Sequence, residues 1–258
     1  QMMFLPVDKG FAPDMDSRDL GVLVDCDRLF PTARGMKAVP NPSVDPDRDI
    51  GAFPEKVTGA YTFEMVGGGR AYVIGTETAL YHGQAASVVD VSRNSNLSYT
   101  GGPDNQWRFT NVGNVCLATN FALSRPIQVR NMTAADSTRF ADAGGEAPRA
   151  RIVERVQELG FTFAFNTANA DGQTGARLLG DSPDRWWCSD INDHEDWNFS
   201  TSGTQSNHGR LLASPGAITA GRALGERIIA YKRDSVWVGS YVGGDVVWAW
   251  DMVTTKIG

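Results

Sequence analysis

The most constraining feature of this chain is a hairpin pattern that occurs twice. Gly69 to Tyr81 (GRAYVIGTETALY) lines up with Glu226 to Val238 (ERIIAYKRDSVWV) at an offset of 157 residues, 227 − 70. In each copy an apolar strand runs into an acidic residue and a hydroxyl residue, Glu77-Thr78 or Asp234-Ser235, and a second apolar strand follows. Weaker copies begin near Asn114 and Leu159. Units of a few short strands, recurring every ~40 to 50 residues, are how the blades of a β-propeller read in sequence, because each blade buries its sheet faces on its neighbours. The repeat therefore predicts that Arg70 to Tyr81 and Arg227 to Val238 hold equivalent places in two blades. It also predicts that Ala71 and Ile228, and Val73 and Ala230, face the same way.

The rest of the chain from residue 57 onward agrees with an all-β fold. Trp107 to Asn120 reads as two short strands, with Gly113-Asn114 supplying the positive φ of a tight turn. Further strands are expected at Tyr61–Met65, Ala71–Ile74, Ala79–Tyr81, Ser87–Val91, Pro126–Val129, Arg151–Val156, Phe161–Phe165, Arg185–Cys188 and Trp197–Phe199. The series closes with Arg210–Leu212, Ile228–Tyr231, Val236–Val238 and Val246–Trp250. Gly67-Gly68-Gly69 is a turn between strands. Helical periodicity survives only at Ala134 to Ala143 and at Arg149 to Leu159, where β-branched residues favour a strand instead. The 28 glycines suit many turns. A β-propeller-like array of short antiparallel strands is the expected architecture, with a β-sandwich as its competitor.

Residues 1–56 differ. They carry Pro6, Pro13, Pro31, Pro40, Pro42, Pro46 and Pro54, and only Leu20 to Val24 resembles a strand. Proline removes backbone donors and favours extended chain. An irregular N-terminal arm is expected, with the propeller domain spanning residues 57–258. Phe4, Leu5, Phe11, Leu29, Phe30 and Phe53 are the candidate interface residues, since large apolar side chains need a surface to pack on.

Several function classes lose support. The net charge is −6, and no basic run of the kind that grips nucleic-acid phosphates is present. No stretch of ~18 apolar residues would span a bilayer, and the N-terminus lacks the basic start and apolar core of a signal peptide. Cys26, Cys116 and Cys188 are too few and too far apart for a disulfide framework. His82, His194 and His208 lack metal-ligand spacing. The densest polar cluster, Asp181 to Asp196, offers carboxylates for a hard cation or for glycoside hydrolysis, but without the spacing and central glycine of a calcium loop. A solvated turn is its plainer reading. No phosphate loop, nucleophile elbow or dinucleotide fingerprint appears. The seven tryptophans are either sugar-stacking platforms or packing between blades.

Two stretches carry a resemblance. Trp107-Arg108-Phe109, Gly113-Asn114 and Ala118-Thr119-Asn120 resemble a segment of the tail hub, or nozzle, proteins of short-tailed bacteriophages. Trp187 to Asp193, with Trp197 downstream, is similar to a second segment of that family, and the hairpin at Arg227 to Gly239 sits where the family has a strand pair. The resemblance implies a β-propeller that assembles as a hexameric ring below the portal and adaptor proteins. It implies contacts with tail fibres, a channel through which DNA passes without specific binding, a place in the virion, no catalytic residues and no cofactor. Such proteins usually continue beyond a strand like Val246–Trp250, so a propeller domain that is incomplete or shortened at its C-terminal side is expected. A carbohydrate-binding propeller and a propeller glycosidase are the rival functions.

Overall fold

A computed structural model describes residues 29–32, 35–38, 53–84, 87–93, 99–101, 105–121, 125–144, 146–169 and 179–254. The chain divides into two compact units, residues 1–49 and 50–258. In the first unit the described backbone is one antiparallel hairpin, β1 (Leu29–Thr32) and β2 (Gly35–Ala38), pairing Leu29 with Ala38 and Thr32 with Gly35. The hairpin adds regular pairing to an arm in which only Leu20 to Val24 resembles a strand. Pro31 argues against a central strand, but in a two-stranded hairpin its missing N–H can face outward. The strand expected at Leu20 to Val24 lies outside the described residues.

The second unit is all-β among its described residues and consists of four antiparallel four-stranded meanders. Blade 1 is β3 (Val57–Glu64), β4 (Arg70–Thr76), β5 (Leu80–Gln84) and β6 (Ser87–Asp90). Blade 2 is β7 (Arg108–Val112), β8 (Val115–Thr119), β9 (Gln128–Asn131) and β10 (Ala141–Asp142). Blade 3 is β11 (Arg149–Val156), β12 (Phe161–Ala168), β13 (Ser182–Cys188) and β14 (Asn207–Arg210). Blade 4 is β15 (Ile218–Leu224), β16 (Arg227–Lys232), β17 (Val236–Gly243) and β18 (Val247–Thr254). The first strands touch in series, β3 to β7, β7 to β11 and β11 to β15. This is a β-propeller-like array. Among the described residues no helix is long and apolar enough to cross a membrane.

Three hydrophobic cores lie between successive blades. Ala71, Val73 and Leu80 pack with Trp107, Phe109, Cys116 and Ala118 between blades 1 and 2. Leu117 and Val129 meet Val153, Ala164 and Trp187 between blades 2 and 3. Phe161, Phe163 and Phe165 meet Ile228, Ala230, Trp237 and Trp248 between blades 3 and 4. Alternation explains how the middle blades serve two cores. In β8, Cys116 and Ala118 point one way and Leu117 the other; in β12 every residue is buried, with the phenylalanines facing blade 4 and Ala164 facing blade 2.

The repeated hairpins are the second and third strands of blades 1 and 4, so their places are equivalent. Their facing is not as expected. Closing hydrogen bonds run from Thr76 N to Ala79 O and from Lys232 N to Ser235 O, 2.9 Å each. A register shift opposite each turn's first residue, at Val57/Gly59 and Ile218/Ala220, marks the same point. The hairpins thus superpose at an offset of 156, 232 − 76, one less than the apolar patterns suggest. Ala71 and Val73 face the following blade, whereas Ile228 and Ala230 face the preceding one.

The helix reading at Ala134 to Ala143 fails, whereas the strand expected at Arg151 to Val156 forms. At Ala134 to Ala143, buried Arg130 takes the carbonyls of Ala134, Ala135 and Thr138 at 3.4, 3.2 and 2.8 Å, acceptors that a helix would need. Arg149 to Val156 is strand β11. The segment Trp197–Phe199 is loop rather than strand.

Candidate functional site

The four first strands enclose a cavity of about 220 Å³, lined by Tyr61 of β3, Phe109 of β7, Ile152 and Val153 of β11, and Ala220 to Arg222 of β15. Hydrogen bonds tie its wall. The Tyr61 hydroxyl donates to Asn111 Oδ1 at 2.9 Å, and Arg222 pairs with Glu154 at 2.8 Å. A second cavity of about 130 Å³ shares Arg108, Ile152 and Thr219 with the first and lies where β7, β11 and β15 begin. Asn105, Gln106, Asn120, Phe121, Arg151 and Ile218 complete its lining. The guanidiniums of Arg149 and Arg151 lie over the Phe121 ring, 4.4 and 4.2 Å from its centroid. Sequence reading missed this site. Arg108 and Arg151 are far apart in the chain, and no basic run announces them.

The Asp181 to Asp196 cluster is organised around Trp197 rather than around a ligand. Asp193 Oδ1 accepts the N–H groups of Glu195 and Asp196 at 3.0 and 3.2 Å. Asp190 Oδ1 accepts those of Ile191 and Gln205, and Asp196 Oδ1 accepts that of Asn198. The fully buried Trp197 donates to the His194 carbonyl at 2.9 Å and its own carbonyl accepts from Trp187 Nε1. Asp184 pairs with Arg210, and Asp181 with Arg149. These are the carboxylate-to-backbone bonds of a tight loop. Among the described residues, no three His, Cys, Asp or Glu side chains group so as to hold a metal ion.

The remaining candidates are also packed. His82 is buried beside Asp136, 3.4 Å away; burial and the Arg130 charge hold it below the ordinary histidine range. Burial likewise lowers His194 and His208, and the His208 ring meets Phe199 at 4.3 Å. Cys116 and Cys188 are free and buried, and desolvation pushes both thiols far up, which suits inert packing groups. Trp107, Trp186, Trp187, Trp197, Trp237 and Trp248 are all buried. Of the candidate interface residues, Phe4, Leu5 and Phe11 lie outside the described residues. Leu29 and Phe30 lie on β1. Phe53 belongs to the second unit, where its ring meets Tyr81 edge-on at 5.2 Å.

No family profile matches this chain, and no curated protein does. Among solved structures it is similar to a chain in the crystal structure of a nidogen/laminin complex, at 15% identity and a TM-score of 0.30, covering 66% of this chain and 71% of that one. It is also similar to Hsv2p of Kluyveromyces lactis, at 11% identity and a TM-score of 0.32, covering 78% of this chain and 73% of that one.

Proposed function

We propose that this chain is a virion structural protein, a propeller subunit of a phage neck or tail nozzle. In this reading copies form a ring, hexameric by the resemblance, around the DNA exit channel and join the portal and adaptor to the distal tail. The observation that carries it is where apolar surface remains. Blade 1 turns Tyr72 away from blade 2 with 45% of the residue exposed, and blade 4 turns Leu224 and Tyr231 away from blade 3 at 65% and 37%. Exposed apolar sheet faces suit a protein that is one part of an assembly. The resemblance motifs fit the same reading, since Trp107 and Trp197 serve packing. A sugar-stacking function loses its platforms, because six of the seven tryptophans are buried.

The test is assembly. Sedimentation of the full chain across concentrations should give a closed oligomer, and electron micrographs of the source virion labelled on this chain should place a ring at the neck or tail. Deleting residues 1–30 should weaken association more than it lowers the melting temperature. A chain that stays monomeric at high concentration, or is absent from virions, would sink the proposal.

A further inference from the structure

We infer that the mouth of the axial cavity binds a phosphate group. The ~130 Å³ cavity at the start of β7, β11 and β15 has room for several water-sized oxygens and is lined by two arginines, Arg108 and Arg151, and by no carboxylate. In a chain with 30 acidic and 24 basic residues this is an unusual lining. Each arginine is exposed, and among the described residues neither has a carboxylate partner: Arg108 donates only to Gln106 Oε1, at 3.5 Å, and Arg151 only stacks on Phe121. Neutral polar side chains, among them Gln106 and Thr219, supply further hydrogen-bonding groups.

Two more features favour a built site over a chance meeting of arginines. Arg149 stacks on the same Phe121 ring and is buried at 8% exposure, with its Nε lacking a hydrogen-bond partner. Among the described residues its one carboxylate neighbour is Asp181, 3.5 Å away and exposed. Phe121 itself holds a left-handed backbone, φ 57°, a conformation that a bulky residue adopts only when its surroundings impose it. The ring thus holds Arg151 at one rim of the cavity, with Arg149 on the same ring beside it, while Arg108 approaches from the neighbouring blade. Planar forks held in place suit the oxygens of a tetrahedral oxyanion.

The experiment is calorimetric titration of the full chain, in chloride buffer near neutral pH, with inorganic phosphate, glycerol 2-phosphate and acetate. Inorganic phosphate should bind saturably at one site per chain, and acetate should not. The double variant R108Q/R151Q should bind phosphate at least ~10-fold more weakly while melting at the wild-type temperature without phosphate, since both side chains are exposed. Glycerol 2-phosphate binding as well as the free ion would identify an esterified phosphate as the source. Its exclusion would identify the free ion. The absence of saturable phosphate binding, equal binding of acetate, or unchanged affinity in the double variant would each overturn the inference.

Discussion

Gly75→Ala tests how blades 1 and 2 are joined. A Cβ on Gly75 would stand 2.2 Å from Trp107 Cδ1 and 2.4 Å from its Cγ. The indole has little room to retreat. A Cβ on Gly59 would likewise stand 2.8 Å from Trp107 Cβ, Tyr99 meets the ring edge-on at 4.9 Å, and Trp107 Nε1 donates to the Thr76 carbonyl at 2.7 Å. Overpacking a filled core costs ~1 to 3 kcal/mol. Displacing the ring also strands a buried donor and acceptor, at ~1 to 3 kcal/mol. The expected loss is therefore about 2 to 6 kcal/mol, or roughly 4 to 24 °C for a domain of this size.

Guanidinium denaturation followed by tryptophan fluorescence would measure the loss, and a double-mutant cycle would assign it. Trp107→Ala alone should cost ~3 to 5 kcal/mol. In that background Gly75→Ala should cost less than ~0.5 kcal/mol, because the atoms it strikes are gone. An equal penalty in both backgrounds, or a Gly75→Ala variant that melts like wild type, would refute the account.

Arg130→Met keeps the buried volume but removes the donor to Ala134, Ala135 and Thr138; it should cost ~2 to 4 kcal/mol and raise amide exchange between residues 133 and 140. Wild-type protection there would contradict it. Glu55 accepts Thr78 N at 2.9 Å, Thr78 Oγ1 at 2.7 Å and Thr76 Oγ1 at 3.1 Å, and the Thr78 bonds help hold its pKa below the ordinary 4.5. Its stabilising contribution is complete above the ordinary carboxylate range and is lost as pH falls through the depressed folded value. The melting-temperature gap between wild type and Glu55→Gln should then be constant near neutrality and close in acid. A gap that persists in acid would refute this.

What was legible in the sequence follows from what each residue type reports. Short apolar runs with glycine turns gave most strands of the four blades, because a strand buried on both faces is rich in apolar residues, as β12 is with Phe161, Phe163, Ala164, Phe165 and Ala168. The innermost strand of blade 4 was missed. β15 (ITAGRAL) packs by absence: Gly221 leaves space for the Phe165 ring, which would lie 2.4 Å from a Cβ. Close approach of that kind leaves no hydrophobic signature. The Asp181 to Asp196 cluster looked like chemistry because carboxylates that cap backbone N–H groups are the same residues that bind cations. The arginine-lined mouth was invisible because its members come from different blades.

The one-residue error in the repeat offset has a physical meaning. Apolar alternation in a strand records which face is covered, and turn geometry records where the strand ends. In blade 1 the covered face looks forward, so Ala71, Val73 and Gly75 are buried against blade 2. In blade 4 the covered face looks back, so Ile228, Ala230 and Lys232 are buried instead. Matching buried to buried therefore slides one hairpin along the other by a residue. Aligned by their turns, Gly75 corresponds to Tyr231, 232 − 156 being 76. Gly75 receives Trp107 from the next blade, while Tyr231 remains 37% exposed on the matching face. The forward face of blade 4 is thus built at the position where blade 1 accepts a neighbour. Its apolar residues Ile229, Val236 and Val238 are only half-buried, where the matching face of blade 1 is covered by blade 2.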